Sequence, residues 1–280
     1  ILHTIPQEFI VDTLEKIDNP IGLSGRRLEG HVHLVTASTS GMENLIESAE
    51  ELGININGLV FKPLASAIPT LTKDEMKLGV SLIDIGSTTT SIAVFNEGAV
   101  RHSAVLPVGS SSITNDIAVM LRISIEEAEK IKIKYASAKA SLSSQKLEFE
   151  IPNSEDNQMI SENELSQYVE ARMEEIFQLA LNEIKRGGID NNLTYGVVLT
   201  GGGSQLRNIV ALANDLLDMP IRLGRPINHL LGNKDFADDP VHSTILGLLL
   251  WPLFSNEQKN IQHNTLSFFE SIKRMFKNFF

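Results

Sequence analysis

Cysteine is absent from the 280 residues, which excludes disulfides, thiolate metal sites and a cysteine nucleophile, and fits a reducing compartment. Basic residues are scarce. Lys and Arg number 24 against 35 Asp and Glu, and the formal net charge of −11 argues against broad electrostatic affinity for nucleic acid. No run reaches the roughly 18 consecutive apolar residues that a membrane-spanning helix needs. The N-terminus lacks a signal-peptide pattern, since Ile1–Val11 has no basic lead and is interrupted by Pro6, Gln7 and Glu8. It also lacks an initiator Met and opens inside a strand-like run, so the chain is expected to be a piece of a longer one. What is present is 42% hydrophobic residues at zero mean hydropathy, enough for one large domain or two smaller ones. No internal repeat is evident.

Periodicity divides the chain into alternating strands and helices. Glu8–Val11 and His31–Val35 read as strands, Ser40–Leu52 as a helix, and Gly58–Phe61 as a buried strand. Leu64–Leu71 reads as a helix before an acidic turn at Lys73–Lys77. Val80–Ile85, Ser91–Phe95 and Val100–Leu106 follow as three closely spaced strands, which must be antiparallel neighbours. Ser112–Leu121 and Ile125–Lys134 read as helices, and Ser141–Ile160 as polar, strand-like text. Glu162–Arg186 is a strong amphipathic helix with Leu165, Val169, Met173, Ile176, Leu179, Ala180 and Ile184 on one stripe. Gly196–Thr200 is a buried strand leading into a helix through Leu217, then a strand at Pro220–Gly224 and a helix at Ser243–Leu250, which Trp251 and Pro252 close. The fold class is α/β.

Three segments carry chemistry. Asp84-Ile85-Gly86-Ser87-Thr88-Thr89 ends an apolar strand in a carboxylate and a turn of small hydroxyl residues, where backbone N–H groups can approach a polyphosphate. Asp84 would act there through Mg²⁺ or an ordered water. The ordinary reading is a β-hairpin with a Ser/Thr turn. Gly201-Gly202-Gly203-Ser204 lies between a buried strand and a helix and allows close backbone approach to a ligand. It is not the dinucleotide-binding glycine pattern, and no acidic residue follows some twenty positions on. Glu129 and Lys132 stand three apart and share a helical face, which by itself reads as a solvated charged helix. His31 and His33 alternate on a strand with no third ligand nearby, and read as an exposed strand face.

In this order and spacing the three segments resemble the actin, heat-shock chaperone and sugar-kinase superfamily. Within it the chain is similar to the FtsA family of cell-division proteins. That likeness rests on His3-Thr4-Ile5-Pro6-Gln7-Glu8-Phe9, Asn19-Pro20-Ile21-Gly22-Leu23-Ser24-Gly25, Arg27-Leu28 and His31-Val32-His33. Leu64-Ala65-Ser66, Leu71-Thr72-Lys73-Asp74-Glu75 and Leu199-Thr200-Gly201-Gly202 extend it essentially from end to end.

The resemblance implies an actin-like (ribonuclease H-like) fold with an incomplete first lobe and a C-terminal amphipathic helix. It apportions residues 1–38 to the remainder of a 1C subdomain and 39–78 to the remainder of 1A. Residues 79–122 and 194–254 fall to 2A, 123–193 to 2B, 255–264 to a linker and 265–280 to a membrane-targeting helix. ATP with Mg²⁺ is the implied ligand. Asp84, Gly86, Ser87, Thr88 and Thr89 would face phosphates and Mg²⁺, Glu129 and Lys132 the ribose and adenine, and Gly201, Gly202, Gly203 and Ser204 the adenosine, with Gly109 and Asn115 on the neighbouring wall. The family's first phosphate loop has no counterpart upstream of Asp84, so about half of the nucleotide cleft is expected here. Ser87 and Thr88 stand where the family carries small residues, and with no general base evident the expectation is slow hydrolysis or none. The implied partners are the C-terminal peptide of the tubulin-like protein FtsZ, further copies of the chain in an actin-like polymer, and the anionic inner-membrane surface on its cytoplasmic face. Arg172 matches one peptide contact, and Arg suits an acidic peptide; its ordinary role is a surface pair with Glu175 or Glu170.

Residues 265–280 differ in kind. On a helical wheel Phe268, Phe269, Ile272, Met275, Phe276, Phe279 and Phe280 share an arc of about 120°, and polar residues fill the rest. At about 24 Å the segment is too short to span a bilayer and reads as an interfacial helix. Lys273, Arg274 and Lys277 each add roughly 1 kcal/mol at an anionic leaflet. Packing on the body or on another protein is the alternative. Two other functions compete for the whole chain: a sugar or acetate kinase, and an actin-like ATPase of pilus assembly.

Overall fold

A computed structural model describes residues 1–152, 158–188, 193–226 and 238–253. The expected linker 255–264 and terminal helix 265–280, with all their membrane-facing residues, lie outside the described residues. Among the described residues, no helix is long and apolar enough to cross a membrane.

The N-terminal part is a three-stranded antiparallel sheet of β1 (His3–Val11), β2 (Leu14–Ile17) and β3 (Leu28–Val35), with β1 in the middle. Pro6 lacks an N–H to donate, and the register shifts between Pro6 and Glu8. Gln7 at that bulge donates from Nε2 to the Val100 carbonyl at 2.7 Å, tying the small sheet to the rest of the molecule. His33 does not lie on an open strand face: its Nε2 is 2.8 Å from Ser103 Oγ.

Helix α1 (Thr39–Glu50) buries none of its residues, although its apolar residues recur at helical spacing. The expected strand at 58–61 is coil and pairs with no strand among the described residues. Helix α2 (Lys62–Thr70) has Pro63 in its first turn, a position without need of an N–H. The expected acidic turn at Lys73–Lys77 is instead a helix, α3 (Lys73–Leu78). Thr72 Oγ1 accepts from the Glu75 amide while the Glu75 carboxylate accepts from the Thr72 amide, a capping box that outweighs the local charge.

The main sheet has the order β10-β9-β4-β5-β6. β4 (Val80–Ile85), β5 (Thr90–Asn96) and β6 (Ala99–Leu106) form an antiparallel meander, while β9 (Val197–Thr200) and β10 (Ile221–Leu223) run parallel to β4. Every residue of β4 is buried. Its side chains alternate between two cores, as the two-residue period of a strand requires. Ile83 and Ile85 face the larger core with α4 (Ser110–Leu121), α5 (Ile125–Tyr135), α6 (Glu162–Arg186) and α7 (Ile209–Leu217). Val80 and Leu82 face a smaller core with Leu64, Ala67 and Leu71. Each large aliphatic residue buried this way contributes about 1.5–3 kcal/mol. The 141–160 stretch forms little strand, a hairpin of β7 (Glu148–Glu150) and β8 (Met159–Ser161). Residues 243–253 form α8, the last helix among the described residues, running past the expected stop at Trp251 and Pro252. A β-carbon on Gly247 would overlap the Ala65 carbonyl oxygen, so glycine is what lets α8 lie directly on α2.

Candidate functional site

The alternation along β4 puts Asp84 on the α2 side of the sheet. Its carboxylate is 1% exposed and is met there by three donors. Lys62 Nζ lies 2.9 Å from Oδ1, while Ser66 Oγ and Thr244 Oγ1 donate to Oδ2 at 2.5 and 3.2 Å. Sequence reasoning had no role for Lys62, Ser66 or Thr244. Their only signal is the polar text Lys62 and Ser66 inside an otherwise apolar helix, and Thr244 lies 160 residues from Asp84.

Beyond Asp84 the β4–β5 turn closes with Gly86 N–H donating to the Thr89 carbonyl at 2.9 Å. The amides of Ser87, Thr88 and Thr89 find no acceptor among the described residues, and the Ser87 and Thr88 side chains are exposed. The start of α4 is docked on this turn: Ser110 and Ser111 amides donate to the Gly86 and Ser87 carbonyls at 2.9 and 2.8 Å. A β-carbon on Gly109 would overlap the Ser87 carbonyl oxygen, so glycine is required for that approach.

Parallel pairing sets Thr200 opposite Asp84, and the glycine turn therefore emerges beside the hydroxyl turn. Gly201 has φ +84°, and a β-carbon there would overlap Asp84 Oδ1. Gly203 packs on Ile85, and Ser204 Oγ is buried and donates to the Gly201 carbonyl at 2.7 Å. Gly202 is exposed, and the Gly202 and Gly203 amides find no acceptor among the described residues. From Ser204 a cavity of about 660 Å³ opens, lined by Gln205, Arg207, Asn208, Leu223 and Arg225 among others.

Glu129 and Lys132 are bound to α4. Lys132 Nζ is buried, 2.7 Å from Glu129 Oε2, 2.9 Å from Thr114 Oγ1 and 3.3 Å from the Ser110 carbonyl. Thr114 Oγ1 donates to Glu129 at 2.5 Å. Burial pushes the Glu129 carboxyl up, but the Lys132 and Thr114 hydrogen bonds overcome this and hold it below the ordinary carboxylate value. Glu129 keeps a side chain 43% exposed beside the α4 terminus.

Asn115 and Arg172 lie together in a groove of about 580 Å³ between α4 and α6, with exposed Val119 and Tyr168. Arg172 makes a two-pronged pair with Asp116, Nε to Oδ2 at 2.7 Å and Nη2 to Oδ1 at 2.9 Å, and also pairs with Glu175. Glu170 instead accepts from the Ala140 amide at 2.9 Å.

The polyphosphate chemistry fits this geometry, because five backbone amides without acceptors among the described residues belong to two adjacent turns. The described residues by themselves do not form a divalent-cation site. Asp84 is the carboxylate at the turn, both its oxygens already accept, and among the described residues no group of three or more His, Asp or Glu could hold a metal.

The comparisons with known proteins agree with this architecture. A family model described as cell division protein FtsA matches residues 81–247, and one described as the SHS2 domain inserted in FtsA matches residues 1–36. The chain belongs to the FtsA family. It is 40% identical over 255 residues to cell division protein FtsA of Pseudomonas aeruginosa, covering 90% of this chain and 61% of that protein. To FtsA of Escherichia coli (strain K12) it is 35% identical over 258 residues, covering 89% and 61%. The chain thus spans about six-tenths of the length of these FtsA relatives. MreB5 of Spiroplasma citri bound to ADP superimposes with a TM-score of 0.62 at 20% identity, covering 81% of this chain and 68% of that one. A PilM–PilN type IV pilus biogenesis complex does so at 0.63 and 18%, covering 88% and 66%. At such identity these two establish the fold, which is α/β and actin-like.

Proposed function

We propose that this FtsA-family chain acts in cell division as an adaptor that holds ATP between its two turns. The observation that supports the reading is the close approach of Gly201 to Asp84, which sets the glycine turn beside the hydroxyl turn. The amides of Ser87, Thr88 and Thr89 on one side and of Gly202 and Gly203 on the other would hold the phosphates. The Glu129 carboxylate, kept ionised, would accept from ribose hydroxyls, and the cavity beyond Ser204 would take the base. Bound ATP would supply the negative charge that these amides are placed to meet. Asp84 accepts hydrogen bonds on both oxygens, which holds the two turns in place for binding. The nucleotide-bound MreB5 relative supports the same reading by fold.

Further parts of the reading rest on the family. The α4–α6 groove, with Arg172 beside apolar Val119 and Tyr168, would take the acidic C-terminal peptide of FtsZ. Further copies of the chain would add in an actin-like polymer. The aromatic face of residues 265–280 would hold the protein on the cytoplasmic face of the inner membrane.

Titration of the 280-residue chain with a fluorescent ATP analogue tests the nucleotide reading. Saturable binding is expected, competed by ATP and weakened at least about tenfold by Thr88→Glu, which sets a carboxylate against the phosphates. Thr88 is exposed, so the substitution spares the core. Absence of saturable binding, or indifference to Thr88→Glu, would overturn the reading.

A further inference from the structure

We propose that the Lys62 ammonium is the built-in counter-ion of this crevice, so that polyphosphate is held there without a divalent cation. The proposal rests on the nucleotide reading above. Three observations carry it. First, Lys62 Nζ lies 2.9 Å from Asp84 Oδ1, and the other oxygen accepts from Ser66 and Thr244. Both Asp84 oxygens already accept hydrogen bonds, Oδ1 from a cation, so a metal at Asp84 would have to compete with the ammonium for that oxygen. A metal there would also stand against a like charge.

Second, the ammonium sits at the phosphate turn. A β-carbon built on Gly86 would lie 3.1 Å from Lys62 Nζ, so the charge hangs directly over the first residue of the turn. An ammonium has three donors, and the bond to Asp84 is the one that Lys62 makes among the described residues. Its side chain is 34% exposed against 2% for that of Asp84, which leaves the donors open on the crevice side while the carboxylate stays covered.

Third, Lys62 is held in place rather than free to swing. It is the first residue of α2, Pro63 follows it, and the preceding Phe61 amide donates to His3 Nε2 at 3.0 Å. Asp84 thus positions Lys62, and Lys62 neutralises Asp84, which would otherwise repel a phosphate. Lysine then serves as a point charge toward the phosphate, complementing the turn amides.

Binding of a fluorescent ATP analogue to the 280-residue chain, measured by anisotropy in EDTA and again in excess Mg²⁺, decides the matter. Similar affinity in the two conditions is expected for the unaltered protein. Lys62→Gln is expected to lose about tenfold in EDTA, the worth of a charge-assisted contact, and to regain part of it with Mg²⁺. Should Lys62→Gln fail to fold, the unaltered protein alone gives the answer. Binding only with Mg²⁺, or a Lys62→Gln protein that binds normally in EDTA, overturns the counter-ion while leaving the nucleotide site standing. No binding in either condition overturns both.

Discussion

Gly201 lies so close to Asp84 that a β-carbon on the glycine would overlap the carboxylate oxygen Oδ1, and it would stand 2.6 Å from the Ile85 carbonyl oxygen. Neither neighbour can retreat, since one is main chain and the other is held by Lys62, Ser66 and Thr244. With φ at +84° the backbone itself also resists a side chain. Gly201→Ala is therefore expected to destabilise the protein by about 2–4 kcal/mol in urea denaturation. Gly202→Ala is the contrast. Among the described residues its β-carbon would meet only Val241 Cγ2, at 3.7 Å, so a cost below about 1 kcal/mol is expected.

The pairing of Arg172 with Asp116 competes with any acidic ligand of the α4–α6 groove. Both side chains are about a third exposed, so breaking the pair costs stability no more than about 1 kcal/mol. Asp116→Asn is expected to bind a peptide of the FtsZ C-terminal tail a few-fold more tightly, and Arg172→Ala about tenfold more weakly. Isothermal titration measures both. Equal binding by all three proteins would remove Arg172 from the peptide site.

Lys132 holds Glu129 ionised. Lys132→Met removes that cation, and because Glu129 remains 43% exposed the cost is expected at about 1–2 kcal/mol. The Glu129 pKa, now below its ordinary 4.5, should rise, as carboxyl-carbon NMR would register. In the unaltered protein the Glu129 contribution is complete above pH 4.5 and is lost as pH falls through the lowered value. In Lys132→Met that part of the acid sensitivity disappears.

Two histidines join the small sheet to the body and are held neutral. Burial lowers the His3 pKa, and burial followed by the charge of His102 lowers that of His33. His3 Nε2 accepts from the Phe61 amide, which a protonated ring cannot do, and its ring stands 5.4 Å from Trp251. His33 faces Ser103 and His102, and His102 in turn pairs with Glu183 at 2.9 Å. The unfolded chain takes up protons first, so their contribution is complete above pH 6.5 and is lost as pH falls toward the lowered values. The urea midpoint should drop between about pH 7.5 and about pH 5.5, and His33→Gln should flatten that drop.

The aromatic face at residues 265–280 predicts sedimentation with anionic liposomes. Phe276→Glu places a charge in that face and should sharply reduce it, as should removal of 265–280. Unchanged sedimentation would show that the membrane is not held by this segment.

Local text was enough for the elements whose burial is continuous. Val80–Ile85 is dominated by Val80, Leu82, Ile83 and Ile85 and forms the central strand with the same ends, because a strand covered on both faces is mostly apolar, with Ser81 and Asp84 as its buried polar residues. Glu162–Arg186 forms with the same ends too, its Ser161 cap and its stripe both written in neighbouring residues, except that Leu179 is exposed and Phe177 is buried in the core. Residues 58–61 show the reverse case, since an apolar run becomes a strand only where another strand accepts its hydrogen bonds.

The sequence by itself determined the family, the central strands, the long helix and the two turns rich in glycine and hydroxyl residues. Only tertiary structure decided their company. Lys62, Ser66 and Thr244 surround Asp84, Asp116 pairs with Arg172 across 56 residues, and Asn115 shares the groove of Arg172. Hydrogen bonds and ion pairs act over a few ångströms in space and carry no trace in spacing along the chain, so the partners of a buried charge become visible only when the sheet and the helices close around it.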